Sequence, residues 1–285
     1  RTVINSYLEH SIYYNDFVLS AGFLGSWSNE FDRSWKIFPG IDISYNFTRA
    51  LKVYASANKS LRLPSFTDLF YEGPSNLGNQ DLKPEKVISY ESGIKWNSQE
   101  FSAYTALFFS RSNDVIAWVD VENSASKKFK TENLTELEKQ GAEFQIRYNF
   151  KDISFIDGTN VNYTYIDQKK SAGRYTSKYS LNYLKHKLVL QLNLKPMKNT
   201  KLGISARYND RNGHFLQYDK TSNEFLTDKS YSPFWLFNGK LKYTLDSWIF
   251  SLEATNLFDN DYYDMGNIEM PGRWLKIGVQ KKFGF

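Results

Sequence analysis

Apolar and polar residues alternate one by one along much of this chain, and the connections between the alternating segments are short and long in strict turn. In residues 141–150, apolar side chains occupy the even positions, whereas Glu143, Gln145 and Arg147 occupy odd ones. Successive side chains of a β-strand point to opposite faces, so this period of two predicts strands with one apolar and one polar face.

About thirteen strands of this kind are predicted, near residues 3–14, 17–27, 36–46, 50–59, 85–97, 101–118, 136–150, 154–167, 181–195, 200–211, 233–245, 248–257 and 270–285. The short connections are 15–16, 47–49, 98–100, 151–153, 196–199 and 246–247, and the long ones are 28–35, 60–84, 119–135, 168–180, 212–232 and 258–269. An outer-membrane barrel has short periplasmic turns and long extracellular loops, which is the order seen here.

A water-soluble β-sandwich or solenoid remains the alternative architecture, because its strands also alternate. Strands that often reach 11 or more residues favour the membrane. So do aromatic residues near strand ends, namely Tyr45, Phe47, Trp96, Trp118 and Trp235. We therefore predict an all-β chain, a transmembrane antiparallel β-barrel that occupies residues 1–285 without a second domain.

The strand count and the composition limit the function further. Thirteen strands that start outside cannot close a bacterial barrel, which has an even number, so the chain is expected to be the C-terminal portion of a larger barrel. The chain has no Cys, and its net charge of +5 is spread out, which gives little support to nucleic-acid binding. No catalytic constellation, metal-ligand spacing or phosphate loop stands out, so neither an enzyme nor a cofactor is predicted.

Two neighbouring motifs carry a family resemblance. LRLPSFTDLF at 61–70 and GNQDLKPE at 78–85 resemble the paired boxes of TonB-dependent outer-membrane receptors. TNLFDNDYYD at 255–264 and the ending PGRWLKIGVQKKFGF at 271–285 are similar to later segments of that family, in the same order. Departures from the family pattern are Leu63, Gln80 and Lys281.

The resemblance implies a roughly 22-stranded barrel whose N-terminal plug is absent from this chain. It implies active import across the bacterial outer membrane, driven by TonB–ExbB–ExbD through the plug. The expected ligand is cobalamin or a similar corrinoid. A ferric-siderophore importer, less favourably a haem importer, and a non-transporting surface-binding barrel are the alternatives. Further expected partners are outer-membrane lipid, lipopolysaccharide and a surface lipoprotein.

Polar and aromatic residues of the long loops are the candidate ligand-binding residues. Long loops of this kind are usually functional or disordered, and the prolines of 60–84 favour order. The candidates are Asp68, Tyr71, Asn76, Asn79, Arg174, Arg211, Tyr218, Tyr262 and Arg273. The alternative is that these residues shape the loops or line a water-filled lumen.

Haem is disfavoured because haem iron needs a strong axial ligand, and residues 65–79 contain no His. His186 lies in a predicted strand and is interpreted as structural, while His214 lies in a long loop and keeps a haem role open.

The terminal aromatic residues Phe283 and Phe285 resemble the assembly signal that the outer-membrane insertion machinery reads in similar barrels. Deletion of Phe285 is therefore expected to reduce the membrane-inserted protein strongly while synthesis continues. Immunoblots of whole cells and of isolated outer membranes measure the two quantities. Unchanged levels in the outer membrane would contradict the barrel assignment at this end of the chain.

Overall fold

The computed structural model of the protein describes residues 1–31, 33–74, 76–120, 129–171, 176–177, 183–219, 224–266 and 268–283. These residues form one short helix, α1 (Phe66–Phe70), and nineteen strands. The strands are β1 (Val3–Tyr14), β2 (Phe17–Ser28), β3 (Lys36–Asn46), β4 (Leu51–Arg62), β5 (Asn76–Leu77), β6 (Glu85–Asn97), β7 (Phe101–Asp120), β8 (Phe129–Asn149), β9 (Ile156–Ser171), β10 (Thr176–Ser177), β11 (Leu184–Leu194), β12 (Thr200–Arg211), β13 (His214–Asp219), β14 (Glu224–Ser230), β15 (Phe234–Leu245), β16 (Trp248–Thr255), β17 (Tyr263–Met265), β18 (Ile268–Glu269) and β19 (Trp274–Lys281). The described residues contain no helix with the length and apolar character needed to cross a membrane.

Thirteen strands follow one another in chain order in one large sheet, β1-β2-β3-β4-β6-β7-β8-β9-β11-β12-β15-β16-β19. The predicted antiparallel all-β fold and its thirteen successive strands are confirmed. The short strands lie in the long connections: β5 pairs with β8, β10 pairs with β7, and β13–β14 and β17–β18 form two small sheets. The chain divides into two compact units, one of residues 1–95, 106–142 and 166–183 and one of residues 96–105, 143–165 and 184–285.

In the first unit, the strand register separates apolar from polar residues. Leu19 lies opposite Ile43, which lies opposite Ala55. One position further along, Asp42 lies opposite Ser56 on the other face of the same strands. Because a strand alternates its faces, each pairing that aligns one apolar row also aligns the neighbouring polar row.

The second unit repeats this separation on its last three strands. Leu241, Leu252 and Ile277 lie side by side on β15, β16 and β19, and all three are exposed, Ile277 by 85%. Glu253 lies on the opposite face, where its carboxylate pairs with the ammonium groups of Lys240 and Lys276.

Within the described residues, no second sheet covers the large apolar side chains of this face. A β-sandwich buries such side chains between two layers, so the sandwich alternative is wrong. An apolar face that stays open along several strands suits contact with lipid, as in a transmembrane barrel.

The short turns keep the register because their sequences tolerate left-handed backbone. Asn15, Asn199 and Asp246 have φ angles of 49°, 64° and 49°. Asn and Asp enter this region more readily than most residues, and two-residue hairpins that match the strand twist require it.

The hairpin of β7 and β8 is longer than predicted. Strand β8 begins at Phe129 instead of 136, and β7 has 20 residues. At about 3.3 Å per residue β7 spans about 66 Å, well beyond the 9–11 residues that cross a bilayer. The hairpin is therefore long enough to continue past a bilayer at the end that carries the long loops.

Strand β19 is shorter than the predicted segment 270–285, because residues before Trp274 belong to a folded loop. Prolines and glycines interrupt the alternating pattern within 62–85, yet regular structure forms there. That segment contains α1 and the two-residue strand β5.

Ile146→Arg and Arg147→Ile form a matched pair on β8. Arg147 donates a hydrogen bond from Nε to Asn160 Oδ1 at 3.4 Å and so lies on the polar face, which places Ile146 on the other. Arginine on the lipid side of a barrel costs about 2–4 kcal/mol at the bilayer midplane. We expect Ile146→Arg to lower the folded fraction in lipid vesicles, measured by heat-modifiable gel mobility. Arg147→Ile should be tolerated, and equal loss in both variants would contradict the assignment of faces.

Candidate functional site

Helix α1 begins in the first motif because Ser65 and Asp68 cap each other. The Ser65 hydroxyl accepts a hydrogen bond from the backbone N–H of Asp68 at 3.1 Å. The Asp68 carboxylate accepts one from the backbone N–H of Ser65 at 2.9 Å. This reciprocal capping satisfies two N–H groups that a helix start leaves unpaired, and it follows Pro64 directly in the sequence.

Arg62 joins this helix to the sheet. Its guanidinium pairs with Glu85 at 3.0 Å and with Asp68 at 3.5 Å, and it donates to the backbone carbonyl of Ile116 at 3.2 Å. Arg62 lies four residues beyond Asn58, so both side chains project from the polar face of β4. The motif loop 61–85 is thus attached to the polar face of the first unit.

Asn133 holds the second motif against the β7–β8 hairpin. Its side-chain oxygen accepts a hydrogen bond from the backbone N–H of Lys83 at 2.8 Å, and its side-chain nitrogen donates one to the backbone carbonyl of Lys83 at 2.9 Å. The same nitrogen donates to the carbonyl of Asp114 at 2.7 Å. Asp114 has a φ angle of 56°, so the strand departs from regular geometry at this contact. We call these three hydrogen bonds the Asn133 latch.

Two predicted ligand-binding residues take part in the same attachment. The backbone carbonyl of Asp68 accepts a hydrogen bond from the Thr131 hydroxyl at 2.7 Å. The side-chain oxygen Oδ1 of Asn79 accepts one from the backbone N–H of Asp81 at 3.0 Å. The amide nitrogen of Asn79 donates to Glu132 at 3.2 Å. These contacts agree with the alternative that the candidate residues shape the loop. Ligand binding by Asp68 and Asn79 stays a prediction.

A small apolar core supports the motif loop from below. Leu69 of α1, Leu82 of the second motif and Ile116 of β7 are buried together. Gly78 passes so close to α1 that a Cβ there would lie 2.8 Å from the Leu69 carbonyl oxygen. Glycine is therefore needed where the two motifs cross.

Three aromatic residues of the motif loop are exposed to solvent. Phe66, Phe70 and Tyr71 are 57%, 55% and 46% exposed. The rings of Phe66 and Phe70 stack with centroids 6.2 Å apart, and Tyr71 meets Trp118 edge-on at 6.2 Å. The loop thus presents an exposed aromatic surface, while its other side is held by the Asn133 latch and the small apolar core. The alternation of the sequence does not predict this feature.

Asn76 differs from the other candidates in this loop. It lies on β5, opposite Phe129 of β8. Its side-chain oxygen is buried and has no hydrogen-bond partner in the part of the chain that the structure describes. An unsatisfied buried acceptor is costly, so Asn76 is the candidate of this loop whose surroundings most favour a donor from a ligand.

In the second unit, Arg211 lies in a cluster formed by two long loops. Its guanidinium pairs with Asp264 at 3.2 Å and lies over the ring of Tyr231 at 5.7 Å. The Tyr231 hydroxyl accepts a hydrogen bond from the Gly266 N–H at 2.7 Å. The loops that follow β12 and β16 are therefore tied together at the end of the strands.

Buried aromatic packing stabilises this cluster, and the sequence did not single out its central residue. Phe215 of β13 is buried between Tyr231 and Tyr263, at centroid distances of 4.9 and 5.2 Å. Strand β13 is too short to show a clear period of two. The sequence therefore cannot distinguish a buried packing residue in this strand from a residue that contacts a ligand.

Tyr262 and Arg273 lie in the loop between β16 and β19. Tyr262 packs on the ring of Phe234 at 4.6 Å. The backbone N–H of Arg273 donates to the Asp259 carboxylate, and its guanidinium donates to the carbonyl of Leu257 at 3.4 Å. The family-like segments 255–264 and 271–285 are thus bound to each other.

The remaining predicted residues are placed as follows. Tyr218 lies on β13, opposite Phe225. Phe283 is exposed, and the Lys281 ammonium lies 5.3 Å from its ring. Arg174 and Phe285 lie outside the described residues.

The histidine interpretation can be compared with the structure. His186 lies on the apolar face, since its neighbour Leu188 is two residues away and pairs with Tyr163 and Tyr208. Its Nδ1 is 2.8 Å from the Tyr163 hydroxyl, and its ring lies 5.0 Å from that of Tyr165. These contacts agree with a structural role. His214 Nδ1 is 3.2 Å from the Ser230 hydroxyl.

The sequence of the chain is similar to a known protein family and to a characterised transporter. Residues 1–257 match the family model described as TonB dependent receptor-like, beta-barrel. The chain is 25% identical over 232 residues to the vitamin B12 transporter BtuB of Photobacterium profundum, covering 77% of this chain and 36% of that protein.

Two solved structures show the same fold. A mutant of the ferric enterobactin receptor PfeA from Pseudomonas aeruginosa aligns with a TM-score of 0.74 and 16% identity, over 99% of this chain and 45% of that chain. The FrpB iron transporter from Neisseria meningitidis aligns with a TM-score of 0.70 and 16% identity, over 96% of this chain and 44% of that chain. The chain thus spans less than half the length of these proteins.

One antiparallel sheet with an open apolar face, tight turns at one end and folded loops at the other defines a transmembrane β-barrel protein. The chain belongs to the TonB-dependent receptor β-barrel family. This family consists of transport receptors of the Gram-negative outer membrane and not of enzymes.

Asn133→Ala tests whether the latch orders the motif loop. It removes three hydrogen bonds of about 1 kcal/mol each, so an open loop should become about 100-fold more populated. Surface proteolysis of intact cells should then cut within 66–78 faster, because cutting follows the open population. Asn162→Ala, on β9 opposite Val189, serves as the control and should leave the rate unchanged. Equal cutting of all three proteins would show that the latch does not hold the loop.

Proposed function

We propose that this chain forms the C-terminal wall and part of the extracellular mouth of an outer-membrane importer that takes up a scarce ligand with energy from TonB. The ligand that we propose is a corrinoid such as cobalamin. The match to the vitamin B12 transporter BtuB over 77% of the chain carries this proposal, because it is a sequence relationship and not a likeness of fold alone.

The geometry of the loops supports a receptor that captures its ligand at the surface. The motif loop exposes Phe66, Phe70 and Tyr71 while its own backbone is fixed by the Asn133 latch and by Arg62. A site that is ordered before binding loses less conformational entropy when the ligand arrives. Aromatic rings and guanidinium groups offer flat apolar contact and forked hydrogen bonds, which suits a large ligand that carries amides and phosphate.

The predicted ligand-binding residues remain part of this proposal. Asn76 offers an unsatisfied acceptor, and Tyr71 offers an exposed ring. The other proposed contacts are Asp68, Asn79, Arg174, Arg211, Tyr218, Tyr262 and Arg273. In this proposal Arg211 and Tyr262 act as fixed parts of the mouth, because both are already packed against loop residues.

The energy source and the surroundings are also proposed. We propose that TonB–ExbB–ExbD act through the N-terminal plug that the family resemblance implies for the full-length receptor. Outer-membrane lipid would cover the apolar face, lipopolysaccharide would meet its upper rim, and a surface lipoprotein would assist capture. The free edges of β1 and β19 would pair with further strands, because unpaired strand edges cannot face lipid.

A ferric-siderophore importer is the second candidate. Its motifs overlap with those of corrinoid receptors, and the exposed aromatic and arginine groups suit either ligand. Haem is disfavoured further by His186, which is held between tyrosine residues on the apolar face.

Uptake by the full-length receptor separates these candidates. Cells that produce it, with and without a functional TonB, are given labelled cyanocobalamin or a labelled ferric siderophore at nanomolar concentration. We expect saturable binding of cyanocobalamin in both strains and accumulation only in the strain with TonB.

Accumulation of the ferric siderophore instead would move the assignment to the second candidate. Binding that never leads to accumulation would contradict transport and would favour the surface-binding barrel.

A further inference from the structure

Arg207 is a cation on the polar face of β12, and the described residues give its guanidinium no ion-pair or hydrogen-bond partner. It lies between Val189 of β11 and Leu236 of β15 in the strand register, so neither neighbouring strand places an acidic residue directly beside it. Its Nε is buried and makes no hydrogen bond within the described part of the chain. A partly buried charge is costly unless it is paired, so this position favours an anion.

The polar face of β12 carries a second polar group without a hydrogen bond among the described residues, the side-chain oxygen of Asn209. Asn209, two residues further along β12, is only 2% exposed, and its side-chain oxygen has no hydrogen-bond partner among the described residues. A free donor in Arg207 and a free acceptor in Asn209 thus follow each other on one face of one strand. Neighbouring unsatisfied groups of opposite type are an unusual arrangement in a folded protein and call for an explanation.

Arg207 opens into a cavity of about 450 Å³ on the polar side of the second unit. Other residues that line the cavity are Ser205, Asn238, Asn256, Tyr262 and Trp274. None of the lining residues is acidic. The volume falls within the range of small-molecule sites, which combine apolar walls with a few polar groups.

The amide groups around the cavity are already occupied. Asn238 accepts from the backbone N–H of Asn256 at 3.0 Å and donates to the Ser205 hydroxyl at 3.3 Å. Both side-chain polar atoms of Asn256 bind the backbone of Asn260, at 2.9 and 3.0 Å. These groups shape the wall and leave the guanidinium of Arg207 as its available charged donor.

Three carboxylates of the second unit form hydrogen bonds or ion pairs with residues other than Arg207. Asp259 accepts from the backbone of Arg273, Asp264 pairs with Arg211, and Glu253 lies between two lysines. The anion that Arg207 favours is therefore not supplied by these carboxylates of the second unit.

We propose that this cavity binds a carboxylate or phosphate group of the imported ligand, with Arg207 as the anchoring residue. A guanidinium donates two parallel hydrogen bonds to either oxyanion, and Tyr262 and Trp274 provide flat walls for the adjoining part of the ligand. The assignment of the anion to the ligand rests on the proposed function, whereas the anion site itself does not.

Chemical labelling of arginine in the full-length receptor tests the site without knowledge of the ligand. Phenylglyoxal is applied in the presence of inorganic phosphate, acetate or chloride at equal ionic strength, and labelled peptides are quantified by mass spectrometry. We expect phosphate or acetate to slow the labelling of Arg207 several-fold relative to chloride. Arg147, an exposed arginine on the same type of face, is the control and should label equally in all three salts. Equal labelling of Arg207 in the three salts would overturn the anion site.

The variant Arg207→Gln then asks whether the ligand uses the site. Loss of a hydrogen-bonded charge should weaken binding of cyanocobalamin or of the ferric siderophore, whichever the receptor binds, about 10-fold to 100-fold. Arg147→Gln should leave that affinity unchanged, and heat-modifiable gel mobility shows whether both variants fold.

Unchanged affinity in a folded Arg207→Gln receptor would overturn the assignment of the anion to that ligand. If the receptor binds neither compound, the proposed ligand fails, and the labelling of Arg207 still decides whether the anion site exists.

Discussion

The structure depends on a strand register in which apolar residues of neighbouring strands share one face. A shift of one residue between two strands would move every side chain to the opposite face, so apolar groups would enter the polar side and lysines would meet lipid. The rows Leu241–Leu252–Ile277 and Lys240–Glu253–Lys276 lie one position apart on the same three strands. At three of the tight turns a left-handed Asn or Asp helps to set this register.

The loops at the other end obey a different constraint, because they cannot rely on a ladder of backbone hydrogen bonds. Side chains replace the ladder: Ser65 and Asp68 cap α1, Arg62 joins it to the sheet, and Asn133 binds the second motif. These contacts satisfy polar groups in irregular backbone and leave aromatic rings exposed. A rigid loop with an exposed aromatic surface is the link between the fold and the proposed capture of a ligand.

The sequence was sufficient to predict the thirteen strands of the large sheet, since most of each strand shows its period of two. It was insufficient where contacts are non-local. Strand β8 begins at Phe129 because it pairs beside an extended β7, which no local pattern in 129–135 indicates. The Ser65–Asp68 capping pair could have predicted α1 from its spacing. No local pattern distinguishes Arg207 as a site residue. What distinguishes it is non-local: neither neighbouring strand supplies a partner within the described residues, and the cavity wall includes Tyr262 and residues 270–272 from a distant loop.

The central claim is that one face of this sheet meets lipid and the other meets water. Nitroxide labels placed singly at residues 250–255 of β16, with the full-length receptor in lipid vesicles, test it most directly. The account predicts that labels at Phe250 and Leu252 respond to oxygen and are shielded from a water-soluble nickel chelate, whereas labels at Ser251 and Glu253 show the opposite preference. Equal shielding of Leu252 from both probes would mean that protein covers this face, and it would contradict the membrane assignment.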